Sequence, residues 1–362
     1  MSAPSLAPAR VPTLAEIRAA AERIRGAAVR TPLLRLQGTR NPEVWVKLEN
    51  LQPINAFKIR GAAAAVTALP AGERARGVWT VSAGNAGQGV AYAAREVGVP
   101  AWVLVIESAP ETKLARMREL GARLVPASWE ECWSAMEARA HPEMEGAFVH
   151  PFDDHEFIAG NASIGLEILD DLPGVRTVAA GVGGGGLITG IGAAVKALVR
   201  ERAGGRAGSP SGGSQGAGGS TAAAQGPEGA GDTRGPPVGV RVVGVEPETA
   251  APWAYSLEKG EPLRFPDWRK SFVDGAGGMS LFPRMWDRMT HVVDDAVVVS
   301  LDEVRDAMRL LADRSRVVAE GAGALAVAAA VTGKLGTEGP VVAVVSGGNV
   351  DLATFCELIR AG

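Results

Sequence analysis

Lys58 lies between Phe57 and Ile59, after a turn of Pro53, Ile54, Asn55 and Ala56 and just before an alanine-rich run. Apolar neighbours partly desolvate a lysine, which favours the neutral amine able to form a Schiff base with an aldehyde. A lysine that merely opens a helix and keeps its ammonium in water is the commoner case. Three further motifs weigh against that bland reading. Gly77 to Val81 reads as a strand, and Ser82, Ala83, Gly84, Asn85 and Ala86 follow it as a small-residue turn before an apolar helix. Such a turn aims backbone N–H groups and a helix N-terminus at an anion, and Asn85 adds a neutral donor, so a carboxylate or a phenolic oxygen fits there. Ala179 to Leu187 repeats the order strand, glycines, helix, and Gly183, Gly184, Gly185 and Gly186 lack the Cβ atoms that would keep a backbone from wrapping a phosphate. Val341 to Val345 is wholly apolar, as in a buried parallel strand, and ends in Ser346 and Gly347. All three motifs lie where a strand ends, which is where open α/β sheets bind ligands.

Two of these motifs also fit other readings. Gly181 to Gly186 matches a dinucleotide-binding glycine pattern, but the acid expected about twenty residues later should close a second strand. Glu201 instead sits in the helical run Val199 to Arg202, which disfavours a nicotinamide site. Ser346 taken alone is an ordinary turn serine.

The elements that must carry these motifs alternate as in a parallel α/β protein. Glu16 to Gly26 reads as an opening helix, with Ile17, Ala20, Ala21 and Ile24 on one face. Val44 to Leu48, Gly77 to Val81, Ala101 to Ile106, Thr177 to Ala180, Val240 to Val245 and Val341 to Val345 read as strands. Ser300 and Glu303 form a capping box before a helix. From Ala203 to Pro237 there is no Ile, Leu, Val, Met or aromatic residue. Such a segment buries too little apolar surface to offset its ordering entropy, so 203–237 is expected to be a flexible insertion.

Composition narrows the classes. The 362 residues are 46% hydrophobic with a net charge of −3, enough apolar content for large cores. No basic stripe with interleaved aromatics is present, so nucleic acid is not an expected partner. No apolar run reaches membrane-spanning length and the start lacks a signal-peptide pattern, so a cytoplasmic protein without membrane contact is expected. Cys132 and Cys356 belong to no metal spacing, nor do His141, His150, His155 and His291.

Taken in order, the asparagine turn with its lysine, the Ser82-Ala83-Gly84-Asn85 turn, the tetraglycine and the closing Ser346-Gly347-Gly348 resemble the fold-type II pyridoxal-phosphate enzymes. Within them the chain resembles the threonine and serine dehydratase branch, which also contains serine racemase, from about Thr31 to Val350. The resemblance implies two parallel or mixed-sheet αβα domains of the tryptophan synthase β type. Residues 79–155 would form a small mobile domain set into a large one made of 1–78 and 156–362, with pyridoxal 5′-phosphate between them. Lys58 would hold the cofactor beside Phe57 and serve as base at Cα. Gly183 to Gly186, with Leu187, would bind the phosphate and Asn85 the ring hydroxyl. Ser346, with Gly347, would face the ring nitrogen, where a neutral hydroxyl favours prompt β-elimination over a long-lived carbanion. Ser82, Ala83, Gly84, Asn85 and Ala86 would hold an amino-acid substrate. Loss of a β-hydroxyl would then yield a 2-oxo acid and ammonia.

Departures from the family pattern leave alternatives open. Ala56 replaces a common Ser, Ala86 a common His, and Ile158 to Ile164 departs from the usual Gly-Gln-Gly-Thr form. A dehydratase for a bulkier β-hydroxy amino acid, a serine or other amino-acid racemase, a β-replacement transferase of the cysteine synthase type and a non-catalytic amino-acid binder therefore remain. Racemases of this kind place a serine directly before the Gly-Asn pair, and Ala83 stands there. Of the family's metal site Glu246 and Ala250 match, but Pro252 replaces a carboxylate, so no metal is assigned. The short end at Gly362 argues against a C-terminal regulatory domain, and a homodimer or larger homo-oligomer is expected.

Overall fold

The computed structural model describes residues 8–38, 43–109, 111–207 and 239–360. Among these residues the strands are β1 (Leu33–Arg35), β2 (Val44–Leu48), β3 (Val78–Val81), β4 (Ala101–Ile106), β5 (Arg123–Ala127), β6 (Ala147–Phe148), β7 (Thr177–Gly181), β8 (Arg241–Pro247), β9 (Asp295–Val299) and β10 (Val341–Val345). They form a six-stranded sheet in the order β1-β2-β10-β7-β8-β9 and a four-stranded sheet in the order β5-β4-β3-β6. Only the β1–β2 pairing is antiparallel.

The apolar strands are buried on both faces because helices cover both. Along β10, Val341, Ala343 and Val345 pack with the helix Gly321–Val331 on one side, while Val342 and Val344 pack with the helix Gly186–Ala207 on the other. Alternate residues of a strand point to opposite faces, so an uninterrupted valine run is what such a position requires. The smaller sheet is built likewise. Val78, Val103 and Val105 face Val90 and Met117, whereas Trp79, Trp102 and Leu104 face Cys132 and Ala135 of the helix Trp129–Ala138.

The helix Lys58–Ala68 joins the two layers. It packs against the helix Asn85–Glu96, which follows β3, and against His155–Asp171, whose Gly160 lies so close that a Cβ there would meet the Arg60 carbonyl oxygen at 2.3 Å. Small residues on both partners permit this approach, which fixes the start of the Lys58 helix against two neighbours.

The expected strands are present with small shifts at their ends: β3 starts at Val78, β7 reaches Gly181 and β8 covers Arg241–Pro247. The opening helix runs from Leu14 to Arg23, starting and ending earlier than expected. Thr13 and Glu16 form a capping box at its start, and the chain turns away after Arg23. The Ser300 and Glu303 capping box is present. The helix from Gly186 continues to Ala207, so residues 203–207, read from composition as flexible, are helical. The rest of that segment lies outside the described residues. Cys132 is buried and Cys356 exposed, and both are free thiols.

Candidate active site

Register brings the motifs together. Val345 is level with Leu48 across the β10–β2 pairing, and β7 flanks β10 on its other side. The segments leaving the C-terminal ends of these three adjacent strands are therefore neighbours. Phe57 N–H donates to the Ser346 carbonyl at 3.0 Å and Gly348 N–H to the Asn55 carbonyl at 2.9 Å, while Ala56 bridges Gly347. Asn55 makes this turn in the left-handed region, at φ 55°. Backbone hydrogen bonds thus fix Lys58 relative to Ser346.

The Lys58 ammonium donates to the Pro151 carbonyl at 2.7 Å and lies 5.1 Å and 5.4 Å from the ring centroids of Phe57 and Phe157. Burial lowers its pKa to about 8, against a partial opposing pull from the Glu320 carboxylate. The ammonium still predominates at pH 7, but about a tenth of the amine is neutral there, far more than an ordinary lysine provides. Phe57, Lys58, Gly183 to Gly186, Leu187 and Ser346 line one small cavity. It is continuous, through Phe57, Lys58, Gly183, Gly184 and Ser346, with a cleft of about 430 Å³ that Ser82, Ala83, Gly84, Asn85 and Ala86 also line.

Each of the four glycines is held by packing. A Cβ on Gly184 would lie 2.3 Å from the Phe152 ring, and Gly185 has φ +84° with the Met289 sulfur in its path. The loop leads into the helix Gly186–Ala207, whose first N–H groups have no partner within the helix and whose first residues, Gly186 and Leu187, line the cavity. In the other turn, Gly84 N–H donates to Ser82 Oγ at 3.1 Å. A Cβ on Gly84 would meet nothing within 4 Å, so that backbone stands open to the cleft.

Glu320 belongs to this site although sequence reasoning passed over it. Asn85 Nδ2 donates to Glu320 Oε1 at 2.7 Å, and Asn349 Nδ2 donates to Asn85 Oδ1 at 2.7 Å and to the Ile54 carbonyl at 2.8 Å. Burial pushes the Glu320 carboxyl up to about 7, Asp274 adds to this, and the Asn85 hydrogen bond opposes it. Gly347 is required beside it, because a Cβ there would meet Glu320 Oε1 at 2.3 Å. The lone acid after Val317, Val318 and Ala319 was the available sequence signal. Ser346 Oγ donates to the Ala322 carbonyl at 3.4 Å.

Glu246 and Ala250 lie elsewhere. Both Glu246 oxygens accept backbone N–H groups, from Trp253 at 2.9 Å and Ala254 at 2.8 Å, so the carboxyl caps the helix Pro252–Lys259. Burial raises its pKa to about 8. Ala250 is buried as well. Among the described residues no group of three or more His, Cys, Asp or Glu side chains is placed to hold a metal.

A cavity holding an amine, a glycine loop and a buried hydroxyl at adjoining strand ends has a counterpart among known proteins. Residues 24–347 match the family of pyridoxal-phosphate dependent enzymes. The chain belongs to that family. It is 35% identical over 356 residues to an L-threonine ammonia-lyase of Thermotoga maritima, covering 97% of this chain and 79% of the relative. It is 34% identical over 326 residues to an L-threonine ammonia-lyase of Geobacter sulfurreducens, covering 88% and 70%. Among solved structures, maize serine racemase superposes with a TM-score of 0.76 at 27% identity, covering 97% of each chain. A threonine deaminase from T.th. gives 0.75 at 33% identity, covering 94% of this chain and 99% of the other. The fold is thus the mixed α/β, tryptophan synthase β-like type II fold expected from the motifs.

The residues present fit pyridoxal phosphate. The cavity offers a partly neutral amine for an aldehyde, free N–H groups at a helix start for a phosphate, and in Ser346 a neutral hydroxyl for a pyridine nitrogen. Among the described residues no helix is long and apolar enough to cross a bilayer.

Proposed function

We propose that this chain is a threonine and serine ammonia-lyase, converting a β-hydroxy amino acid to a 2-oxo acid and ammonia by α,β-elimination. The observation that carries the proposal is the Lys58 amine, tuned to about pH 8 and placed where the glycine loop, the Ser82–Ala86 turn and Ser346 meet. The L-threonine ammonia-lyases among its relatives support it.

Bound pyridoxal phosphate supplies an electron-accepting ring that stabilises negative charge developing at Cα. The chain supplies position and protons. N–H groups from Gly183 to Leu187 would bind the phosphate, and Phe57, which lines the same cavity, would flank the cofactor. The Ser82 hydroxyl and the Ala86 N–H would hold the substrate carboxylate, with Ala83 and Gly84, whose N–H goes to Ser82 Oγ, completing the turn. Lys58 Nζ takes the Cα proton. Asn85, tied to Glu320 and Asn349, would have its remaining amide N–H for the ring hydroxyl. Ser346, followed by Gly347, would offer a neutral hydroxyl to the ring nitrogen. The test is release of 2-oxo acid and ammonia from L-threonine and L-serine by holoenzyme. Absence of both products with either substrate refutes the proposal.

Racemisation is the second reading, because serine racemases of maize and Dictyostelium discoideum are structural neighbours. It requires a second acid/base on the face opposite Lys58. Ala83, before the Gly84-Asn85 pair, has no exchangeable proton. L-serine in deuterated water should therefore give pyruvate without D-serine, and appreciable D-serine would favour the racemase.

We further assign 79–155 to a small mobile domain and 1–78 with 156–362 to a large one. The absence of strand pairing between the two sheets, among the described residues, supports this division. A cytoplasmic homo-oligomer, a dimer or larger, completes the proposal, and sedimentation of the holoenzyme tests its assembly.

A further inference from the structure

The same cleft has a second, apolar end. Trp133 and Met136 of the helix Trp129–Ala138 line it together with Met279 and Phe282. The Trp133 and Phe282 ring centroids are 5.1 Å apart, Trp129 stacks on Trp133 at 5.6 Å, and Phe282 stacks on Phe152 at 5.2 Å. An unbroken aromatic row thus runs from the glycine loop past the cleft. The charges nearby are occupied, Asp274 by Lys113 and Glu320 by Asn85. A threonine methyl or a serine hydrogen would leave most of this apolar surface bare, and bare apolar surface favours a ligand that covers it.

Beyond this wall lies a chamber of about 540 Å³ that also contains Trp129 and Trp268. Trp133, Asp274, Gly277, Gly278, Met279 and Ser280 border both spaces. The divide at Gly277 and Gly278 carries no side chain, and the nearest atom to a Cβ on Gly278 would be the Ser280 carbonyl oxygen at 3.7 Å. Trp268 Nε1 donates to the Gly277 carbonyl at 2.9 Å, which holds an indole edge at that divide.

We infer that this end of the site takes an aromatic β-substituent, so that the substrate class is a 3-aryl-3-hydroxy amino acid with phenylserine its simplest member. The inference rests on the elimination reading above. The Cα proton and the Cβ hydroxyl leave as one water, the enamine product tautomerises to an imine, and one water hydrolyses that imine. Phenylserine thus gives phenylpyruvate and ammonia with no net oxidation. Arg264, Arg269 and Lys270 also line the chamber, and an anionic β-substituent is the competing class.

The test compares kcat/KM of the holoenzyme for L-threo-3-phenylserine, L-threonine, L-serine and L-threo-3-hydroxyaspartate by ammonia release. The expected result is a preference for phenylserine of about tenfold or more over each of the others, the scale that apolar pockets reach. Equal or better turnover of threonine or serine overturns the aromatic class while leaving elimination standing, and so does a preference for hydroxyaspartate. No ammonia from any of the four removes the elimination reading and this inference with it. Gly278→Val, which fills the divide, should lower the ratio of phenylserine to serine kcat/KM about tenfold. An unchanged ratio would mean that the ring does not pass there and would overturn the assignment.

Discussion

Lys58 and Arg60 stand two residues apart at the start of one helix, yet the protein treats their charges in opposite ways. Arg60 is 2% exposed and fully engaged. Its guanidinium reaches Glu49 through two hydrogen bonds of 2.8 Å, Glu167 at 2.7 and 2.9 Å, Ser163 at 3.0 Å and the Val29 carbonyl at 3.1 Å. Lys47 adds a second buried cation, donating to Glu167 and to the Thr31 carbonyl at 2.6 Å each. Burial alone would strip these charges, but the Glu49 carboxyl is held below its usual range and the Arg60 guanidinium above its own. Lys58 receives one neutral carbonyl, two aromatic faces and only a partial pull from the Glu320 carboxylate, and burial wins. The same depth therefore fixes a charge where partners are complete and loosens a proton where they are not.

The largest effect should come from the loosened site. Lys58→Ala removes the proposed base and the amine that would hold the cofactor, so turnover should fall by about a thousandfold or more. Borohydride should no longer fix cofactor to the chain, while circular dichroism stays that of the wild type. Retained activity, or retained borohydride trapping, would break the comparison at its functional end.

At the structural end, Arg60→Ala leaves Glu49 and one side of Glu167 without their buried partner. A broken buried pair costs about 3–5 kcal/mol, so the urea midpoint should drop steeply or the chain should fail to accumulate. A variant within about 1 kcal/mol of wild type would show that the network adds little beyond filling space.

A third measurement sets the two residues on one scale. The Lys58 pKa is about 8 in the folded chain against 10.5 ordinarily, so the folded state binds this proton less tightly than the unfolded one. Below pH 8 the ammonium is charged in both states and the folded state carries the cost of burying it. Between about 8 and 10.5 the folded amine loses its proton first and the cost fades. Apoprotein carrying Lys58→Met should therefore be more stable than wild type by about 1–3 kcal/mol below pH 8. The two melting curves should converge as pH rises towards 10.5. A difference that is flat with pH would contradict the depressed pKa.

How much of this was legible in the sequence depends on the range of each interaction. The runs that became β2 and β10 were readable because they are largely apolar and stop at turn residues, and the Ser300 capping box because its partner is three residues away. The two-residue β6 carries no periodicity, and β9 lay hidden because Asp294 and Asp295 look like a turn. Lys58 was found through its apolar flanks. Glu320 was missed because its partner, Asn85, is 235 residues away and only the fold brings them together. Arg60 and Glu49 were passed over for a related reason: a charged residue in an amphipathic run reads as solvent-facing until its counter-ions are placed. Glu246 matched part of a metal pattern, and its two backbone partners became visible only with the helix that it caps.

The smallest expected effect tests whether burial, rather than ion pairing as such, separates these regions. Arg30 and Asp171 make a guanidinium–carboxylate contact of 2.5 Å, chemically like that of Arg60 with Glu167, but their side chains are 52% and 32% exposed. Water screens such a pair, and holding two long side chains in one geometry costs entropy. A double-mutant cycle of Arg30→Ala and Asp171→Ala should give a coupling of only about 0.2–1 kcal/mol, fading further as salt is added. The Arg60 pairs, shielded from solvent, should show little salt dependence. If the Arg30 pair couples as strongly as a buried one, or ignores salt, then proximity alone would account for the tight charge at Arg60. The contrast with Lys58 would then need a cause other than the completeness of its buried partners.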